Sequence, residues 1–416
     1  MVSKKEEPVR RTFNLFTFTI LFCTLIVTPH LVPAGSLNLA VHNQGLSIGN
    51  SKNFTGLRIN FSDREVQRIN GINITLWRAK NNQDAVVKGL SLGLFSPEAG
   101  SLSGIQFGGL GITAHQDLSG ISVALLGVGA GKKLTGIALT VGGAGSGGSV
   151  QGLIIGGLGV GAGDDIQGIA VGGMGAGTGG SVQGLIFGGL GVGAGDDLSG
   201  IAVGGLGAGT GGSVQGLIFG GMGAGAGGNL HGIALSIIGV GAGGSVHGIL
   251  IGGLGAGAGG DVTGITFGGL GAGAGNNMSG LNIGGLGIGA GKNLTGINLG
   301  GIGVGCGGKL SGITLSGVGA GAPKVSGLTM AGIAVGGEEI TGIAAALGMI
   351  RIENEGRLVG VAASAVNYIK GQQTGISIGI VNWVHHLNGF QIGLVNYVRD
   401  NPRGLKILPL FNVHLD

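Results

Sequence analysis

The chain has 416 residues, 104 of them Gly and only 7 Pro, with 10% charged residues and a formal net charge of +4. Gly without Pro excludes collagen and Pro-rich linkers, and 43% apolar content with a mean hydropathy of +0.52 excludes a disordered chain. So dilute a positive charge, with no Lys/Arg cluster beyond the N-terminus, also argues against nucleic acid as a partner.

The N-terminus reads as an export address. Lys4, Lys5, Arg10 and Arg11 precede the apolar run Phe13–Val27, and Val32-Pro33-Ala34 offers small residues for cleavage. This is the pattern of a secretory signal peptide over 1–34, with an uncleaved anchor as the alternative. Residues 35–101 then hold irregular copies of a short unit, such as Gly56-Leu57-Arg58-Ile59 and Gly71-Ile72-Asn73-Ile74. Irregular, more charged copies suit the terminal cap of a stacked array.

From 102 to 326 the unit becomes strict. A Gly followed by Leu or Ile recurs every sixteen residues, from Gly104 through Gly152 and Gly200 to Gly312, without an insertion. In the unit opening at Gly152 the positions that stay apolar are Leu153, Ile155, Leu158, Val160, Ala162 and Ile166. The position of Ile154 is tolerant, holding Gln106, Ser122, Asn282, Asn298 or Thr314 in other copies. Apolar–variable–apolar reads as a short strand with Leu153 and Ile155 turned inward. Leu158, Val160 and Ala162 have the opposite parity, so a corner is expected between the two sets, at Gly156-Gly157. Glycine tolerates the backbone of such a corner, and polar pairs such as Asp164-Asp165 mark a second bend.

Two short strands and two bends per unit predict an all-β fold: a Gly-rich β-solenoid with sixteen-residue coils and irregular terminal caps. Copies would stack about 4.8 Å apart, leaving a nearly side-chain-free outer surface at the glycines between Leu158, Val160 and Ala162. The alternative is an up-and-down transmembrane β-barrel. About eleven uncharged residues per unit (152–162) approach a spanning strand, and units thirty-two residues apart, such as those at Gly168 and Gly200, are the more alike. A missing polar lining and missing aromatic girdles weigh against it.

Beyond 327 the unit changes again. Gly375-Ile376-Ser377-Ile378-Gly379-Ile380-Val381-Asn382 and Gly389-Phe390-Gln391-Ile392-Gly393-Leu394-Val395-Asn396 are clear copies, with partial ones at Val366-Asn367-Tyr368 and Phe411-Asn412-Val413. Over 358–416 this resembles the bacterial surface-repeat proteins built on Gly-Leu-Gln-Ile-Gly-Leu-Val-Asn units; the likeness is weaker over 45–95. The resemblance implies an exported protein at the outer membrane or cell surface of a Gram-negative bacterium, and it carries no catalytic residues over.

Several constellations invite a chemical reading and fall short of one. Gly-x-Gly-x-x-Gly strings occur by chance and open no helix after a strand. Asp164-Asp165 and Asp196-Asp197 lack the repetition of a calcium-binding roll. His231 and His247 share a position one coil apart without a third ligand, and His385-His386 is a flanking loop pair. Cys306 stands where other units carry Ala, Ser or Thr, and reads as a small packed residue. A polar ladder from Ser119 through Gln151, Gln183 and His231 to Thr295 could meet an ordered surface such as ice or polysaccharide. No catalytic, cofactor-binding or metal-binding residues are expected, and no cofactor. The expectation is a non-catalytic envelope protein, structural or interacting, whose partners are unknown beyond the outer membrane or other envelope components. The alternatives are a barrel with a transport or assembly role and a surface ligand binder using the polar ladder.

Overall fold

A computed structural model describes residues 35–415; the expected leader over 1–34 lies outside the described residues. No helix occurs among them. Strands pair in parallel with their copies one unit on: Gly136 sits beside Gly152, Gly152 beside Gly168, and Gly168 beside Gly184. Parallel pairing in register sixteen is a stack of coils, so the chain is a β-solenoid and the antiparallel meander of a barrel is excluded. About twenty coils follow one another, giving a rod on the order of 100 Å long at the usual strand spacing.

Each coil has three corners where two were expected. In the coil opening at Gly152 the first lies inside the strand Ser149–Gly156. Gly152 has φ +122°, and Val150 and Ile154 on either side of it both point into the core. A left-handed φ at mid-strand turns the chain, and a Cβ at Gly152 would also lie 2.1 Å from the Gly136 carbonyl oxygen. The second corner is Gly157-Leu158 and the third spans Gly163 to Asp165. The expected corner at Gly156-Gly157 is therefore displaced by one residue, and its glycines serve another purpose. Neither has positive φ; a Cβ on Gly157 would lie 2.2 Å from the Val141 carbonyl oxygen of the preceding coil and one on Gly156 2.1 Å from the Gly159 carbonyl oxygen of its own, although the preceding coil places Thr140 and Val141 here.

The inward and outward assignment of the first strand is the reverse of the expectation. Ile154 is wholly buried, while Ile155 and the corner residue Leu158 are 36% and 60% exposed, and Leu153 lies outside the core. Val160 and Ile166 are buried as expected, and Ala162 packs against the core. Within Leu153-Ile154-Ile155 the two unvarying apolar positions face outward and the variable one faces inward, whereas the unvarying positions of Val160 and Ile166 are interior.

That variability has a packing logic. Ile154, Ile186 and Ile218 alternate with Ala170, Ala202 and Ala234, all fully buried. Across the corner glycine the partner position compensates: Val150, Val182 and Val214 accompany the large residues, and Ile166, Leu198 and Leu230 accompany Ala. Close packing demands this constancy of volume. It also accounts for the thirty-two-residue similarity without a barrel. In places a polar interior residue pairs along the stack, as with Asn282 Nδ2 donating to Asn298 Oδ1 at 2.8 Å.

Both ends of the rod are closed by antiparallel strands. Ser36–Val41 pairs with Gln44–Gly49, and Ile407–His414 pairs back on the last coil.

Candidate interaction face

The three corners divide the coil surface into three faces of different chemistry. The first, between the opening Gly and the Gly-Leu corner, carries the outward side chains one and three residues after that Gly; the corner adds the residue six after it. From 102 to 326 the first of these positions is always Ile or Leu, and the second always Phe, Val, Leu or Ile. The third is apolar everywhere except at Gly142. Ile169, Phe187 and Leu190 are 43%, 42% and 50% exposed. Soluble monomers rarely expose contiguous apolar patches beyond several hundred Å²; this one runs the length of the rod. The end strands prolong it, for Leu37 and Leu39 lie beside Ile48 and Leu46, and Phe411 and Val413 beside Ile392 and Phe390. Near the N-terminal end it is grooved between Leu76, Leu94, Phe107 and Leu125.

The second face, from the Gly-Leu corner to the polar corner, shows glycine. Gly159 and Gly161 point outward, and a Cβ there would meet nothing closer than 3.2 Å. The expected side-chain-free surface exists, and the backbone does not require it.

The third corner collects the charge. Every Asp, Lys, Arg and Glu between 102 and 326 falls twelve or thirteen residues after an opening Gly, at the vertex opposite the apolar face. Its side chains tie coil to coil. Asp165 Oδ1 accepts from the Ser181 N–H at 2.9 Å and Asp197 Oδ1 from the Ser213 N–H at 2.7 Å. Asn229 Oδ1 and Asp261 Oδ1 continue the series to Ser245 and Asn277. The Asn277 N–H and side-chain amide hold the Asp261 carboxyl below its ordinary range. The Asp pairs considered for calcium thus act as turn acceptors.

The remaining candidates are placed as follows. His231 and His247 are neighbours in register, their rings stacked at 5.1 Å. The polar ladder bonds to itself in places, with Gln151 Nε2 donating to Gln167 Oε1 at 2.7 Å. Cys306 is half-buried, and burial pushes its thiol pKa up, away from a nucleophile. His386 pairs with Asp400 at the rod's end. Among the described residues, no three His, Cys, Asp or Glu side chains are grouped to hold a metal.

Two features escaped the sequence reading. In the first coils Arg58, fully buried, donates to Asp63 Oδ1 at 2.5 Å and Asn73 Oδ1 at 2.7 Å, while Thr75 and Asn73 satisfy Asp63 Oδ2. Arg58 occupies the variable inward position, and placing that position outside hid the pair. Both Trp and both Tyr of the chain also stand in stacks at the two ends: Trp77 between Phe61 and Phe95, and Trp383 between Tyr368 and Tyr397. No protein-family model, curated protein or solved structure matches this chain.

Proposed function

We propose that this is an exported, non-catalytic interaction protein of a bacterial envelope, whose working part is the apolar face of the rod. One observation carries the reading: within the strand after the opening Gly, the positions one and three residues on never become polar over fourteen strict units and are on the surface, whereas the buried position between them accepts Gln, Asn, Ser and Thr. Folding alone would produce the opposite pattern, because burial penalises unpaired polar groups and exposure does not penalise Ser or Thr. A covered face is the simplest cause. The leader-like N-terminus and the likeness of 358–416 to surface-repeat proteins support placement at the outer membrane or cell surface of a Gram-negative bacterium.

The test is accessibility in cells exporting the full chain with Cys23→Ala and Cys306→Ala. Ile201→Cys on the apolar face should react with a membrane-impermeant thiol reagent at least tenfold more slowly than Ser199→Cys on the polar ladder, each normalised to its rate in urea. Equal normalised rates would show the face uncovered and remove the reading.

A further inference from the structure

We propose that what covers the apolar face is the acyl-chain layer of one leaflet of a lipid membrane, with the rod lying flat on it. This rests on the preceding reading and names the partner class. The first argument is one strand position: in the coils from Gly264 to Gly312 the inward residue two after the opening Gly is Thr266, Asn282, Asn298 or Thr314, amid an otherwise apolar core, while the outward residues on either side of it are Ile, Leu or Phe. Polar inside and apolar outside is the arrangement lipid selects in β-structure. The second is the position of the charge, confined through 102–326 to the vertex opposite, so that one edge of the rod is suited to hydrocarbon and the other to water.

The third argument is the backbone. Strand amides and carbonyls of each coil pair with the coils before and after, and the end strands close both ends. Along the face between the two ends the strand backbone is therefore paired within the rod, so that face can meet an apolar phase as an open sheet edge cannot. Fourth, Trp77, stacked with Phe61 and Phe95, stands six residues after Gly71 at the corner that borders this face, a place suited to an amphipathic ring at a membrane–water boundary. A hydrocarbon layer of about 30 Å is far shorter than the rod, so the rod lies along the membrane instead of crossing it.

A second copy of the chain fits the face less well. The outward side chain three after the opening Gly changes size from coil to coil, as in Val171, Phe187, Val203 and Phe219. A rigid partner must match that relief over the whole length, since interface cores pack as closely as interiors. A fluid acyl layer needs only that each side chain be apolar, which is the one property held constant.

The experiment uses the purified full chain with Cys23→Ala and Cys306→Ala, and vesicles of phosphatidylcholine with a minority of phosphatidylglycerol. The chain should float with the vesicles. A fluorophore on Ile201→Cys or Leu206→Cys should be quenched by lipids brominated on the acyl chain, and one on Ser199→Cys should not. Ile201→Ser, Leu206→Ser and Phe187→Ser together should lower the partition coefficient at least tenfold with the far-ultraviolet circular dichroism unchanged. Lipid-independent shielding of both face sites that grows with protein concentration, without flotation, would assign the face to a second copy and overturn the proposal. Absence of both flotation and shielding would overturn it too. If the face is shielded in cells yet the vesicles fail, the interaction reading survives and the lipid assignment falls; if it is open in cells, both fall.

Discussion

Gly216 and Gly209 stand seven residues apart and meet different surroundings. Gly216 opens a coil at φ +132°, and a Cβ there would lie 2.0 Å from the Gly200 carbonyl oxygen. Gly209 points out from the glycine face with its nearest neighbour at 3.8 Å. Gly216→Ala should therefore cost at least the roughly 1–3 kcal/mol of a strained backbone. Gly209→Ala should be neutral or raise stability by about 0.5–1 kcal/mol through the unfolded chain. Urea denaturation of the two variants checks this, and equal losses would show that the outward glycines are also required by the fold. The same distinction says why glycine is so abundant: close coil approach accounts for one set, and the outer surface for another.

Within the coil, the side chains flanking each opening Gly act as one volume. Ala202 is fully buried and stands opposite Leu198, whereas Ile186 and Ile218 in the adjoining coils stand opposite Val182 and Val214. Ala202→Ile should destabilise by about 1–3 kcal/mol through overpacking. Adding Leu198→Val restores the neighbouring pairing and should recover a good part of that loss. A double-mutant cycle by thermal melting would measure the coupling; additive effects would mean the two positions do not share one space. The polar interior of the C-terminal coils obeys a related rule. Asn367 Nδ2 donates to Asn382 Oδ1 and Asn382 Nδ2 to Asn396 Oδ1, each at 2.7 Å, and Asn396 Nδ2 reaches the Leu408 carbonyl at 3.2 Å in the closing strand. The Asn of the Val-Asn units is thus a buried stacking residue, its amide satisfied by its own copies.

Along the whole rod, the ends decide whether stacking stops. A parallel stack presents the same unpaired backbone edge at each terminus, and the antiparallel strands Ser36–Val41 and Ile407–His414 cover these edges. Removing 402–416 should leave the coils intact and convert the chain to dimers joined through the uncovered end. Removing 35–43 as well should give open-ended filaments. Light scattering in detergent, where the apolar face is masked, separates this from face-to-face association; monomers in both cases would show that the closing strands are dispensable for end protection.

The sixteen-residue period by itself determined that the chain is an array of like β-units, because only a shape that repeats can carry an exact repeat; that the units stack as coils was decided by their parallel pairing. It also placed the polar bend and the bare glycine surface, since turn chemistry and missing side chains are local properties. Which side of the strand is the inside was decided by tertiary structure alone. Strand parity gives two sets of positions and no label for them, and the usual label, apolar means buried, holds only where water is the solvent on the outside. The inward positions Val150, Ile154, Val160 and Ile166 keep one parity around the whole coil, through the left-handed φ of Gly152, and only the packed structure shows which set they are.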